Sequence, residues 1–144
     1  MKSKLLHSQG DKTWVLVFDP GDEVVSTLLA FAKDKNIKAA QVTALGGFRE
    51  VTLGFFDFDV KDYVSKKVAE QVEVMSLIGN FAQTPDGESK LHSHVVVGKR
   101  DYSAHGGHLM HAIVNPTLEV MVTESPSELA RVFHKDKGLA LLKL

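Results

Sequence analysis

The sequence predicts an α+β fold, a largely antiparallel β-sheet packed with one long and one short helix. Three observations carry that expectation. About eight stretches are apolar or alternate in polarity, each bounded by turn-forming residues. One stretch after Pro20 repeats apolar residues at helical spacing, and a shorter one begins with a capping-box pattern at Ser125. Tight-turn chemistry separates many of the strands, which suits antiparallel neighbours.

The elements follow in chain order. Lys4 to His7 and Thr13 to Phe18 read as strands joined through Ser8-Gln9-Gly10-Asp11, a hairpin. In the second strand Trp14, Leu16 and Phe18 share one face and Val15 and Val17 the other, so both faces are apolar and the strand is central. Asp19-Pro20-Gly21-Asp22-Glu23 opens the long helix, with Asp19 as cap, Pro20 in the first turn, and acids against the positive end of the helix dipole. Val24, Val25, Leu28, Leu29 and Ala32 form its buried stripe with Phe31 at the margin, and Lys33, Lys35 and Asn36 close it.

Four strands are expected next, about Ala39 to Ala44, Arg49 to Phe56, Lys66 to Gln71 and Val72 to Ile78. Gly46-Gly47 reads as a tight turn, since no Gly-rich phosphate loop with a following Lys and Ser/Thr is present. The face of Thr52, Gly54 and Phe56, opposite Val51, Leu53 and Phe55, is a candidate interface. Asp57-Phe58-Asp59 and Asp62 lack the glycine and terminal glutamate of a calcium loop and read as a solvated turn. Thr84-Pro85-Asp86-Gly87 turns the chain into a histidine-bearing strand. Leu109 to Val114 and Leu118 to Thr123 then read as a hairpin around Asn115-Pro116-Thr117. Ser125 to about Phe133 is the short helix, and Leu139 to Leu142 the last strand.

A length of 144 residues suits a single domain, residues 1–144. The chain is 44% hydrophobic and 24% charged, an ordinary globular balance, and no apolar stretch approaches the length of a membrane span or follows Lys2 and Lys4 as a signal core. The expected setting is cytoplasmic. The absence of cysteine rules out thiolate ligands, so a metal would rest on imidazole, carboxylate and water. Net charge is −1 and the only arginines are Arg49, Arg100 and Arg131, which lends no support to a basic face for nucleic acid.

Five of the seven histidines lie between Lys90 and His111. On a strand His92 and His94 share one face, with Cα atoms about 6.6 Å apart, so both rings reach one ion at about 2.0–2.1 Å. Gly106-Gly107 lets the backbone turn and approach closely just before a third donor, His108. A lone His-x-His is commonly a hydrogen-bonded pair; the glycine-framed third histidine favours a metal site with an open position for water or substrate. His105 reads as a solvated loop residue, and His111 as a strand residue on the face of Leu109 with room for an outer role. A nucleophilic triad is unsupported, because Ser93 alternates away from the histidines and no Gly-x-Ser-x-Gly elbow occurs. Glu73, Glu119 and Glu124 are the candidate acid or base groups, and spacing alone places none of them.

The helix followed by Val42-Thr43-Ala44-Leu45-Gly46, the strand ending Phe55-Phe56-Asp57, Glu73-Val74-Met75-Ser76-Leu77-Ile78-Gly79, Leu91-His92-Ser93-His94 and Gly106-Gly107-His108-Leu109 together resemble the PPC domain, conserved in plants and prokaryotes. The resemblance spans nearly the whole chain. It implies an α+β fold, a homotrimer, and a metal ion on His92, His94 and His108 as in prokaryotic members. It also brings a DNA-binding label from the AT-hook nuclear-localised proteins of plants. This chain has no Arg-Gly-Arg-Pro motif, and Glu70-Gln71-Val72-Glu73-Val74-Met75 stands where plant members carry Gly-Arg-Phe-Glu-Ile-Leu. Three functions follow as expectations: a trimeric metal-containing module that engages DNA or a protein partner, a small metal-dependent enzyme using a His-bound water, or a structural metal site. Zinc is the leading ion for three neutral imidazoles, ahead of iron, nickel, cobalt and copper.

Overall fold

The computed structural model describes residues 1–143. Strands β1 (Lys2–His7) and β2 (Thr13–Phe18) precede helix α1 (Val24–Asp34). Then come β3 (Ala40–Asp57), β4 (Asp62–Val68), β5 (Val72–Gln83), β6 (Ser89–Gly98), β7 (Ala104–Glu124), β8 (Ala130–His134) and β9 (Leu139–Lys143). All nine strands belong to one sheet, antiparallel except for a single parallel contact between β5 and β8. None of the described helices is long and apolar enough to cross a membrane.

β1 and β2 form the expected hairpin, and β2 continues onto β7. Leu16 and Phe18 of β2 are buried and Trp14 half-buried, whereas Val17 is exposed, so its two faces are unequal. The helix starts later than the sequence suggests. Its cap is Glu23, whose carboxylate accepts from the backbone N–H groups of Val25 and Ser26 at 3.2 and 2.6 Å, while Asp19 and Asp22 bind the terminal amine of Met1. Burial disfavours the charged carboxylate of Glu23, but donors from Ser26, Val25 and Ala112 outweigh it and hold its pKa below the usual range. Val24, Leu28, Phe31 and Ala32 face the core, so Phe31 belongs to the buried stripe rather than its margin.

Two expected turns are strand interiors. Gly46-Gly47 lies inside β3, and Asn115-Pro116-Thr117 inside β7. The two bends lie against each other: a Cβ on Gly46 would sit 2.3 Å from the carbonyl oxygen of Thr117, and one on Gly47 2.7 Å from that of Asn115. Close approach requires glycine there, so the residues that look like turns let two long paired strands bend together where their register shifts. β4 starts and ends earlier than the expected Lys66–Gln71 strand, and β5 runs five residues beyond Ile78 to Gln83.

The short second helix does not form, and α1 is the only helix among the described residues. The Ser125 hydroxyl accepts weakly from the N–H of Ser127, Glu128 pairs with Lys38, and Ala130–His134 instead pairs residue for residue with β9. A capping box supplies two local bonds, whereas strand pairing satisfies the backbone of the whole segment.

β3, β5, β6 and β7 pair in a closed circuit, β3 with β5, β5 with β6, β6 with β7 and β7 with β3. Its inner side holds Val42, Val51, Leu77, Phe81, Val95, Val97, Val114 and Val120, all buried, and α1 packs over β6 and β7. β6 shows the division residue by residue: Leu91, Ser93, Val95 and Val97 point inward, and His92, His94 and Val96 outward. The β8–β9 ribbon leaves β5 at Gln83, and its turn at Gly138 meets Lys61 between β3 and β4. It therefore runs across the outer face on which the histidines stand.

Candidate metal centre

Alternation on β6 places His92 and His94 on one face, and the β6–β7 register places His108 directly across from His94. The three rings converge. Centroids lie 5.1 Å apart for His92 and His94, 5.3 Å for His92 and His108, and 5.6 Å for His94 and His108. One ring nitrogen from each lies within 4.8 Å of the other two, with His92 and His108 half-buried and His94 exposed. The glycines before His108 do not turn the chain, contrary to the sequence expectation. Both lie within β7, opposite Val96 and Val95. Their use is close approach: a Cβ on Gly107 would meet the backbone oxygen of Gly54 at 2.8 Å.

The electrostatics suit neutral donors. Burial, then the neighbouring charges of His92, His94, Lys90 and Arg131, pushes the His108 pKa down to about 4. Burial and the charges of Arg131 and His94 lower that of His92 as well. At neutral pH these rings keep a lone pair for an ion. Nδ1 of His108 is buried with no hydrogen-bond partner, a costly state until a bound ion or molecule occupies it. An all-imidazole donor set with one such orphaned nitrogen fits a borderline divalent ion.

Neighbouring strands supply the walls. Tyr63 of β4 lies over His108 with ring centroids 4.8 Å apart. It has room because Gly54, opposite His108 on β3, presents no side chain; a Cβ there would lie 3.0 Å from both Tyr63 Cδ1 and Met110 Sδ. Burial raises the Tyr63 pKa, partly offset by Arg131, so its phenol stays protonated at neutral pH. Asn80 of β5 stands directly across from His92, and its Oδ1 accepts from Nη2 of Arg131 on β8 at 2.6 Å.

The remaining sequence candidates lie elsewhere. His105 is a half-buried strand residue opposite Val97, not a loop residue. His111 is exposed: a register shift between Leu109 and His111 against β3 puts it on a different face from buried Leu109. Glu124 accepts from the Trp14 indole at 2.7 Å, Glu119 stands across from Val17, and Glu73 pairs with Gly98, so no carboxylate joins the three histidines among the described residues. Asp57 caps the N–H groups of Asp59 and Val60 in the exposed turn before β4. A groove of about 890 Å³ between Glu70–Met75 and Gly98–Ala104 contains none of the three histidines. Asn80, Tyr63 and Arg131 were not sequence candidates; Asn80 was signalled as a polar residue interrupting an apolar run in β5 and Arg131 as a lone arginine in a strand otherwise apolar at Val132 and Phe133, while Tyr63 carried no local signal.

The description of the Plants and Prokaryotes Conserved (PCC) domain matches residues 6–126. No curated protein matches the chain. Among solved structures, a metal-containing protein from Archaeoglobus fulgidus is 34% identical, with 98% of this chain and 99% of that one covered and a TM-score of 0.86. A protein from Bacteroides thetaiotaomicron described as a DNA-binding candidate is 31% identical over 98% and 96%, with a TM-score of 0.88. A plant- and prokaryote-conserved protein from Pyrococcus horikoshii is 27% identical over 99% and 95%, with a TM-score of 0.86.

Proposed function

This chain belongs to the Plants and Prokaryotes Conserved domain family, and from that premise we propose that it is a single-domain, homotrimeric metal protein whose His92, His94 and His108 hold one divalent ion, zinc foremost. The convergence of three imidazoles with no acid among them carries this reading. Similarity to a metal-containing archaeal protein supports it. Three protein donors leave a coordination position open to water or a small ligand. An ion held there would lower the pKa of a bound water to about 7 or polarise a ligand oxygen. The chain's own part is to hold the rings of His92 and His108 neutral, to wall the site with Tyr63, and to present the Arg131 guanidinium beside Asn80.

Trimer formation is supported by apolar side chains on the histidine face. Ile78, directly opposite His94, is 59% exposed, and Val96, two residues along, 42% exposed. A second subunit on these residues would also cover His94.

The experiment is metal content per subunit by elemental analysis, wild type against His94→Ala, with nothing added after lysis. About one ion in the wild type and a sharp loss in the variant, with circular dichroism unchanged, is the expected result. Full occupancy in the variant would refute the three-histidine assignment.

The relative described as a DNA-binding candidate favours a second reading, DNA binding by the trimer. Arg131 is buried, however, and Lys38, Lys67 and Lys99 pair with Glu128, Glu50 and Glu70. Binding that weakens steeply with salt is the result this reading requires.

A further inference from the structure

Arg131 is 5% exposed, yet it enters none of the ion pairs among the described residues. Its Nη2 donates to neutral Asn80, its Nη1 reaches the carbonyl oxygen of Ala140 at 3.4 Å, and its Nε has no partner. Burying a guanidinium without an anion is costly, and arginine cannot shed its proton to escape the cost. The charge is aimed at the histidine face: Asn80 stands directly across from His92, and cross-strand neighbours of this kind have Cβ atoms about 4.5–5.5 Å apart. Lys90 joins the same face by alternation with His92. The charged neighbours that act on His92 and His108 are other histidines, Lys90 and Arg131, with no acid among them.

Resting on the three-histidine reading above, we propose that Arg131 is the anion-binding arm of the centre, holding a small oxyanion of the carboxylate or phosphate class whose other oxygen meets the metal's open position. A divalent ion on neutral imidazoles, together with this guanidinium, places three positive charges in a half-buried site without a protein counter-ion. A forked oxyanion supplies the missing charge, and the partnerless Nε and the planar fork match its geometry. The β8–β9 ribbon delivers the arm, because Arg131 pairs with Leu142 across it and the ribbon is fixed at Gln83 and Lys61.

The test is calorimetric titration of glycolate and of inorganic phosphate into zinc-loaded wild type, Arg131→Met and Asn80→Asp, each assayed for zinc content. Arg131→Met keeps the buried stem; Asn80→Asp is nearly isosteric and gives the guanidinium a carboxylate of its own. We expect at least one anion to bind the wild type and both variants to weaken it by about tenfold or more, with zinc content unchanged. Which anion binds better distinguishes carboxylate from phosphate ligands. Equal affinity in all three proteins with zinc retained, or no binding of either anion to the loaded wild type, would overturn the role of Arg131. Should the wild type take up no zinc, the metal reading fails by itself. The titration on metal-free protein then decides about Arg131: anion binding lost in both variants supports the role, and its absence in the wild type overturns it.

Discussion

His108 is the ring of the cluster that burial and neighbouring positive charges push down most clearly, to about 4. Its pKa of about 4 lies below the ordinary 6.5, so an unfolded chain takes the proton first as pH falls. The contribution to stability is therefore full above pH 6.5 and is lost on acidification toward 4, with His92 adding in the same direction. Melting of chelator-treated protein should show Tm falling steadily from pH 6.5 to 4.5, below which Glu23 and then Asp22, whose carboxylates are held under their ordinary values of 4.5 and 3.8 in the fold, add their own losses. A flat Tm between pH 6.5 and 4.5 would refute it. The grouping of His92, His94 and His108 was legible from sequence because two share a strand face and the third follows adjacent glycines. Asn80, Tyr63 and Arg131 were not, since each reaches the site through register with another strand, and pairing partners leave no trace in local periodicity.

Among the elements, the contact of β3 with β7 positions His108, and Gly107 controls its closeness. Gly107→Ala forces a methyl against the backbone oxygen of Gly54 at 2.8 Å, and neither strand has a flexible end there to yield. A loss of roughly 1–3 kcal/mol by urea denaturation is expected, together with lower zinc occupancy as His108 shifts. Gly106→Ala, whose Cβ would meet a Val96 methyl group at 3.3 Å and the backbone oxygen of Val95 at 3.4 Å, should cost less on both measures. The hairpin at the start of the chain, the helix and the histidine strand were readable because their patterns are local. The two longest strands were not. Gly46-Gly47 and Asn115-Pro116 look like chain reversals, and only their contact with each other shows that they are bends within two paired strands. The missing second helix has the same origin: Ser125 and Glu128 offered a start, but Arg131, Val132 and Phe133 had partners waiting in β9.

For the whole molecule, the exposed apolar residues around His94 predict association. Ile78→Lys places a charge directly opposite His94, on the face proposed to meet another subunit. Sedimentation should show the wild type as a trimer and the variant as mostly monomer, with the fold intact because Ile78 lies outside the core. A monomeric wild type would remove the proposed trimer. The division of labour between the β6–β7 hairpin and the β8–β9 ribbon has a further consequence, for the order of assembly. His92, His94 and His108 sit close together in the chain on one hairpin, so an ion needs only a short loop to close before it is chelated. Arg131 reaches the same face only after the ribbon has docked between Gln83 and Lys61. On the proposed reading, capture of the metal would thus be a local event, open to the nascent chain, whereas recognition of the anion would belong to the finished molecule.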